Sequence, residues 1–269
     1  MSAVFPTSTT KAIRDIGGSA GHLSLMGMLA WQDIRQRYRR SFIGPFWLTI
    51  SMAVMVAIIQ LVFGQIFRVP MQDFLPHVAV GLILWAYLSA TWTEGCQAFM
   101  SAEKIIKQLP LPLSIHVFRT VWRNLLVLGH NLIILPVVFL ALGLPVSWES
   151  LWSLIGLLLM TINLAWMALV LAVLCTRYRD LAQIVSSVLQ VLFHLTPIMW
   201  MPSLLPEGAG RMLLGWNPLF HWLETVRGPL LGTDVGPLSW WVSLSSAVVG
   251  WLLACALFAR TRARIAYWL

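Results

Sequence analysis

Apolar positions in this chain come in long blocks, each closed by a charge. Residues 41–67 carry no charge and end at Arg68. Residues 74–93 lie between Asp73 and Glu94, and the pattern continues for a turn past Glu94. Residues 124–148 follow Arg123, with a helix that should begin earlier, near Ser114. Residues 150–176 lie between Glu149 and Arg177, 181–206 follow Asp180, and 235–259 end at Arg260. A helix needs roughly 20 apolar residues to cross the hydrocarbon core of a bilayer. The expected fold is therefore an all-α integral membrane protein with six transmembrane helices within 44–259, between an N-terminal segment 1–21, expected to be flexible, and a basic C-terminus 260–269.

Three further segments have patterns of their own. In 22–43, Leu23, Met26, Ala30, Ile34 and Tyr38 share one helical face, with Asp33, Gln36, Arg39 and Arg40 opposite. This predicts an amphipathic helix in the membrane interface, its arginines against anionic headgroups. The segment 101–112, SAEKIIKQLPLP, predicts a short helix begun by Ser101 and Glu103 and stopped by Pro110 and Pro112. It is either a docking element or a solvated turn. The third segment, about 202–238, is too apolar for a loop in water. It predicts two short re-entrant helical pieces, broken at Asn217–Pro218 and Gly228–Pro229.

Charge sets the orientation. Fifteen of the eighteen Lys and Arg residues fall on one side if both termini are cytoplasmic, leaving Arg68, Arg211 and Arg227 outside. That is the positive-inside pattern. It also accounts for a pI near 10.1 without nucleic acid. With 59% hydrophobic and 10% charged residues, and a mean hydropathy of +0.80, the chain falls far outside the soluble range. Cys96, Cys175 and Cys255 are isolated in the sequence and read as small apolar residues. The first twenty residues hold no apolar signal-peptide core, so the N-terminus is expected to stay inside.

Catalytic signatures are missing. No G-x-x-x-x-G-K-[ST] loop or H-E-x-x-H motif occurs. His130 and His194 are the histidines expected deepest, as helix–helix hydrogen-bonding residues. No span has a central carboxylate of the kind that ion-coupled transporters carry, and Glu94 lies toward one end of its span. Neither catalytic site, cofactor nor metal is expected on this chain, which would need energy from elsewhere. Aromatic residues are abundant. Trp47, Trp148, Trp152, Trp240, Trp241 and Trp268 suit interfacial belts. Trp85, Tyr87, Trp92, Phe193 and Trp200 lie deeper; each alone reads as a packing residue, and as a set they read as pore-lining rings on which sugar faces could stack.

The segments WQDIRQRYRRSFIGPFW, AEKIIKQLPLPLS, RYRDL, LTPIMW and WNPLFHWLETVRGPLL occur in that order. Together they resemble the membrane subunits of ABC-2 type polysaccharide exporters, closest to the O-antigen branch, over about residues 22–269. The resemblance implies a homodimer with a pore between its copies, in the bacterial inner membrane. It implies two copies of a separate ATPase, which bind ATP and Mg, and a lipid-linked polysaccharide as cargo. It also implies that 101–112 is the coupling helix, with Glu103, Lys104 and Lys107 as its contacts. Arg35, Arg37, Arg39 and Arg40 would meet the carrier's diphosphate, as guanidinium groups can, although arginines before a first span also serve positive-inside orientation. Trp216, Asn217, Pro218, Phe220 and Trp222 would belong to a gate at the outer mouth. The alternatives are an exporter of a smaller lipid or drug, a membrane-embedded sugar transferase, and a non-catalytic scaffold. Asp33, Glu94, Glu103 and Asp180, one per segment, speak against the transferase, which needs an acid–base pair.

Overall fold

The computed structural model describes residues 8–39, 44, 46–145, 147–205 and 208–269. These residues form helices joined by short connections, with no strand among them. Before the first long helix come α1 (Ser8–Ala20) and α2 (Leu23–Tyr38); α3 (Phe46–Phe67) and α4 (Met71–Cys96) follow. A 3-10 turn leads into α5 (Glu103–Gln108), then α6 (Ser114–Asn131) and α7 (Ile134–Leu142). After a second 3-10 turn (Trp148–Leu151) come α8 (Trp152–Arg177) and α9 (Leu181–Leu195). The chain ends with α10 (Ala209–Gly215), α11 (Pro218–Leu231) and α12 (Pro237–Trp268).

Among the described residues, five helical segments are long and apolar enough to cross a membrane: α3, α4, α6 with α7, α8 with its preceding turn, and α12. Within the expected sixth span, 181–206, the α-helix covers only the fifteen residues of α9, and a 3-10 turn follows at Pro202–Leu204. Backbone extends at Thr196, and Pro197 cannot continue the ladder. The α6–α7 span breaks at Leu132–Ile133, where Pro136 lacks the N–H that would bond the Leu132 carbonyl.

Helix α4 is the hub of the bundle. It packs against α3, α6, α7, α8, α9 and α11, and Phe74, Val78, Ala79, Ile83, Leu84 and Leu88 along it are buried. Helix α3, by contrast, touches only one flank of the bundle and leaves most of its apolar surface uncovered. Small residues allow the closest helix approaches. A Cβ on Gly250 would meet the Trp166 ring at 2.1 Å, and one on Gly156 would meet the Thr225 carbonyl oxygen at the same distance.

Three expectations need correction, and one, the basic C-terminus, gains an element. First, the described part of 1–21 is not loose, because α1 buries Ala12, Asp15 and Ser19 against α6 and α12. Second, the basic C-terminus 260–269 continues α12 as helix to Trp268. Third, Gly228–Pro229 does not break α11, which runs through both to a left-handed cap at Gly232. Proline 229 leaves the Thr225 carbonyl without its helical donor, and that carbonyl lies against Gly156 of α8. Fourth, α2 does bury Met26, Ala30 and Ile34 as expected, but Leu23 is exposed and Asp33 turns toward α6.

Candidate functional site

The end of the bundle that carries α5 holds most of the ionic contacts. Asp33 of α2 accepts from Arg119, and from Arg123 Nη1 at 2.8 Å. Arg123 Nη2 then donates to Glu94 Oε2 of α4 at 2.6 Å, and Asn124 Nδ2 to the same oxygen at 2.8 Å. Three helices are thus tied by a charge-balanced chain of partly buried groups. The carboxylates expected to be dispersed, Asp33 and Glu94, share one arginine, a pairing that their positions in the sequence do not suggest.

A second cluster joins the two ends of the chain. Asp15 Oδ2 accepts from Arg262 Nε at 2.6 Å and from the Leu113 amide at 3.2 Å. Its Oδ1 accepts from the Ser114 amide at 3.0 Å and from the Ser114 hydroxyl at 2.8 Å. Asp15 therefore caps the first turn of α6 from another helix, satisfying orphan amides that Leu113 and Ser114 cannot satisfy locally.

Helix α5 stands beside these clusters with no buried residue of its own. Lys107 Nζ donates to Glu103 Oε1 at 2.6 Å, and the Lys107 ammonium holds the Glu103 carboxyl below its ordinary range. Lys104 is exposed. Of the four arginines expected to meet a diphosphate, Arg35 and Arg39 are exposed. Arg40 and the side chain of Arg37 lie outside the described residues.

The five deep aromatic residues do not form one surface. Trp85 and Phe193 face each other at 5.6 Å between ring centroids, and with Tyr87 they line a cavity of about 490 Å³ between α3, α4 and α6. Trp92 turns away to meet Trp222 edge-on at 6.4 Å, beside an apolar cavity of about 320 Å³. Trp222 Nε1 donates to Ser246 Oγ at 2.9 Å, so this pair is built into the α8–α11–α12 packing. Trp200 donates from Nε1 to the His194 carbonyl at 3.1 Å, at the opposite end from α5.

The expected gate residues also separate. Asn217 caps α11, accepting from the Leu219 amide at 3.0 Å and the Phe220 amide at 3.4 Å, with Pro218 at the first helical position. Trp216 is 81% exposed, whereas Trp222 is buried and Phe220 is half-buried. Deeper in α11, buried Arg227 donates to Glu224 Oε2 and to the Pro197 carbonyl, both at 2.6 Å. Its Nη1 lies 3.1 Å from His77 Nε2. These contacts tie α11 to α4 and to the segment after α9, beside an outer cavity of about 650 Å³.

One feature of α9 escaped the sequence reading. Gln183, Ser187, Gln190 and His194 recur at helical spacing and are all exposed. Ser89, Thr93 and Ser186 join Gln190 and His194 along a groove of about 360 Å³ between α4 and α9, together with Trp85, Leu189 and Phe193. Its wall mixes hydroxyls, an amide and an imidazole with the apolar Trp85, Leu189 and Phe193, and holds no Asp, Glu, Lys or Arg among the described residues. The spacing was legible in 181–195 but was masked by the apolar residues that share the helix.

A family model described as ABC-2 type transporter matches residues 24–231. The chain belongs to the ABC-2 type transporter family. An ABC-2 chain of this kind is a membrane permease, here a multi-pass one with several apolar helices. Among its relatives is a protein from Myxococcus xanthus named O-antigen export system permease protein RfbA, 26% identical over 197 residues, covering 72% of this chain and 75% of that one. A Klebsiella pneumoniae protein of the same name is 24% identical over 212 residues, covering 73% of this chain and 80% of that one. The family match begins within α2 and ends with α11, so α1 and α12 flank it.

Proposed function

We propose that this ABC-2 permease exports a lipid-linked polysaccharide, of O-antigen or capsule type, across the inner membrane of a bacterium. The observation that carries this reading is the similarity to O-antigen export permeases over 72–73% of the chain. In this reading the permease works as a homodimer with both termini cytoplasmic. Two copies of a separate ATPase supply ATP and Mg, and dock on α5 through Glu103, Lys104 and Lys107. Arg35, Arg37, Arg39 and Arg40 meet the diphosphate of the carrier at the headgroup level. The polymer passes along the α4–α9 groove, past Trp85 and Phe193, toward a mouth controlled by α10 and α11.

The chemistry of the groove favours such a cargo. Polar side chains within a bilayer face a protein interior or water, because lipid offers them no partners. A wall of amides, hydroxyls and aromatic faces gives a sliding glycan many weak, interchangeable contacts. Deleting the gene in its source organism tests the proposal. Surface polysaccharide should be lost while lipid-linked chains accumulate inside. Intact surface polymer would overturn it, and absence of the polymer everywhere would favour a role in synthesis.

A further inference from the structure

Helix α5 is followed by a stiff corner. Residues 109–113, LPLPL, hold two prolines, whose fixed φ takes away much of the freedom of a linker. Helix α1 closes over this corner. A Cβ on Gly18 would lie 3.6 Å from Pro112 Cγ, and Ser19 Oγ lies 2.7 Å from Ser114 Oγ. The buried carboxylate of Asp15 accepts from the Leu113 amide, the Ser114 amide and the Ser114 hydroxyl.

A serine or aspartate at position 113 would cap α6 locally and leave α1 out of the corner. Leu113 stands there instead, and the cap comes from a residue 99 positions away from Ser114. The same carboxylate takes Arg262 Nε of α12 at 2.6 Å. With three donors from the corner, Asp15 has hydrogen bonds enough without the arginine. What Arg262 adds, besides its charge, is a tie to α12. That helix runs unbroken for 32 residues, about 48 Å at 1.5 Å per residue. Toward its other end it holds α11: Ser239 Oγ lies 2.9 Å from His221 Nδ1, and Ser246 Oγ accepts from Trp222 Nε1 at 2.9 Å. The corner behind α5 is thus joined, through α1 and one long rod, to α11. Asp15 and Arg262 both lie outside the stretch 24–231 that the family model matches.

We propose that α1 is a strut of the transport cycle, passing the displacement of α5 through Asp15 and Arg262 to α12 and so to α11. This rests on the reading that the ATPase docks on α5, and it adds a second route beside the one through α4. Asp15 and Arg262 are positioning residues, which act through the helices they join. A strut works by staying closed. Cutting it should leave ATP hydrolysis running while the outer mouth no longer follows.

The test uses the complex with the partner ATPase, and a deletion strain carrying each variant. Arg262→Ala should still co-purify with the ATPase and hydrolyse ATP at the wild-type rate. Surface polysaccharide should fall at least about fivefold, the lower end of the usual coupling between two sites. Arg262→Lys, whose ammonium can meet the same carboxylate, should restore export. Asp15→Asn with Arg262→Ala strands no buried charge, and should show the same split between hydrolysis and export. Wild-type export in Arg262→Ala overturns the proposal. So does a loss of export matched in both variants by equal losses of ATP hydrolysis or of thermal midpoint, which would make the pair a fold contact only. Lys104→Glu with Lys107→Glu is the reference. If that variant loses export and Arg262→Ala does not, only the strut fails; if neither loses export, docking on α5 fails with it.

Discussion

At the residue scale, the buried charged side chains among the described residues, Asp15 and Arg227, are paired. Arg227 is 2% exposed and is held by Glu224, Pro197 and His77. Removing one partner of a buried ion pair strands the other's charge, at a cost of about 3–5 kcal/mol. Arg227→Ala should therefore lower the thermal midpoint in detergent sharply, and the Arg227→Ala/Glu224→Ala double variant should lose less than the sum of its singles. An unchanged midpoint in Arg227→Ala would mean that water already reaches this pair. The sequence reading took Arg227 as a plain outer cation, since nothing near it in 202–238 marks it as buried. The histidines were misjudged for the same reason. His77, His116 and His221 are the buried ones, whereas His194 is exposed and donates to its own helix at the Gln190 carbonyl. A polar residue's depth depends on which helices surround it, and hydropathy along one helix carries no record of that.

At the scale of elements, α5 is a short helix with no buried residue, between the end of α4 and the start of α6. The ends of these two helices are anchored, α6 by the Asp15 cap and α4 through Glu94 and Arg123. A push on α5 would thus be delivered to helices already fixed to their neighbours. In a complex with the ATPase, Lys104→Glu with Lys107→Glu should reduce co-purification and export, while the permease alone keeps its thermal midpoint. Unchanged co-purification would remove α5 from the docking surface. The Glu103–Lys107 pair has a stated pH window. With the carboxyl lowered in the folded chain, its contribution is present above the ordinary carboxylate range and is lost as pH falls through the lowered value. Docking through α5 should therefore be insensitive to pH near neutrality.

At the scale of the whole molecule, several apolar helices leave surface uncovered in a single chain, and these surfaces differ in chemistry. Leu252 and Leu253 of α12, like much of α3, present only hydrocarbon, as a surface against lipid would. The exposed surface of α9 presents Gln183, Ser187, Gln190 and His194 beside Ile184, Val188 and Val191. A water-filled path along α9 predicts a clear difference in labelling. With Cys255 replaced by Ala, a cysteine at Ser187 should react with a hydrophilic maleimide, and one at Leu252 should not; Cys96 and Cys175 are buried and contribute little. Equal protection of both positions would place α9 against lipid or a dry interface.

Much of this architecture was legible in the residues because a bilayer imposes strict rules. Long charge-free blocks, the charges that close them, proline positions and the bias of arginine to one side follow from local chemistry and from the cost of unpaired backbone in hydrocarbon. These located five long helices, the α5 turn and the break at Asn217–Pro218, and the order of the motifs pointed to the family. The sequence by itself did not decide which polar groups meet. Asp15 and Arg262 lie at opposite ends of the chain yet form one cap, and Asp33 reaches Glu94 only through Arg123. Nor did it show that Trp85 and Trp92, seven residues apart on one helix, belong to different cavities. Spacing along a helix sets the direction of a side chain, but the neighbouring helix determines what it meets, and in this protein that neighbour is set by packing around α4.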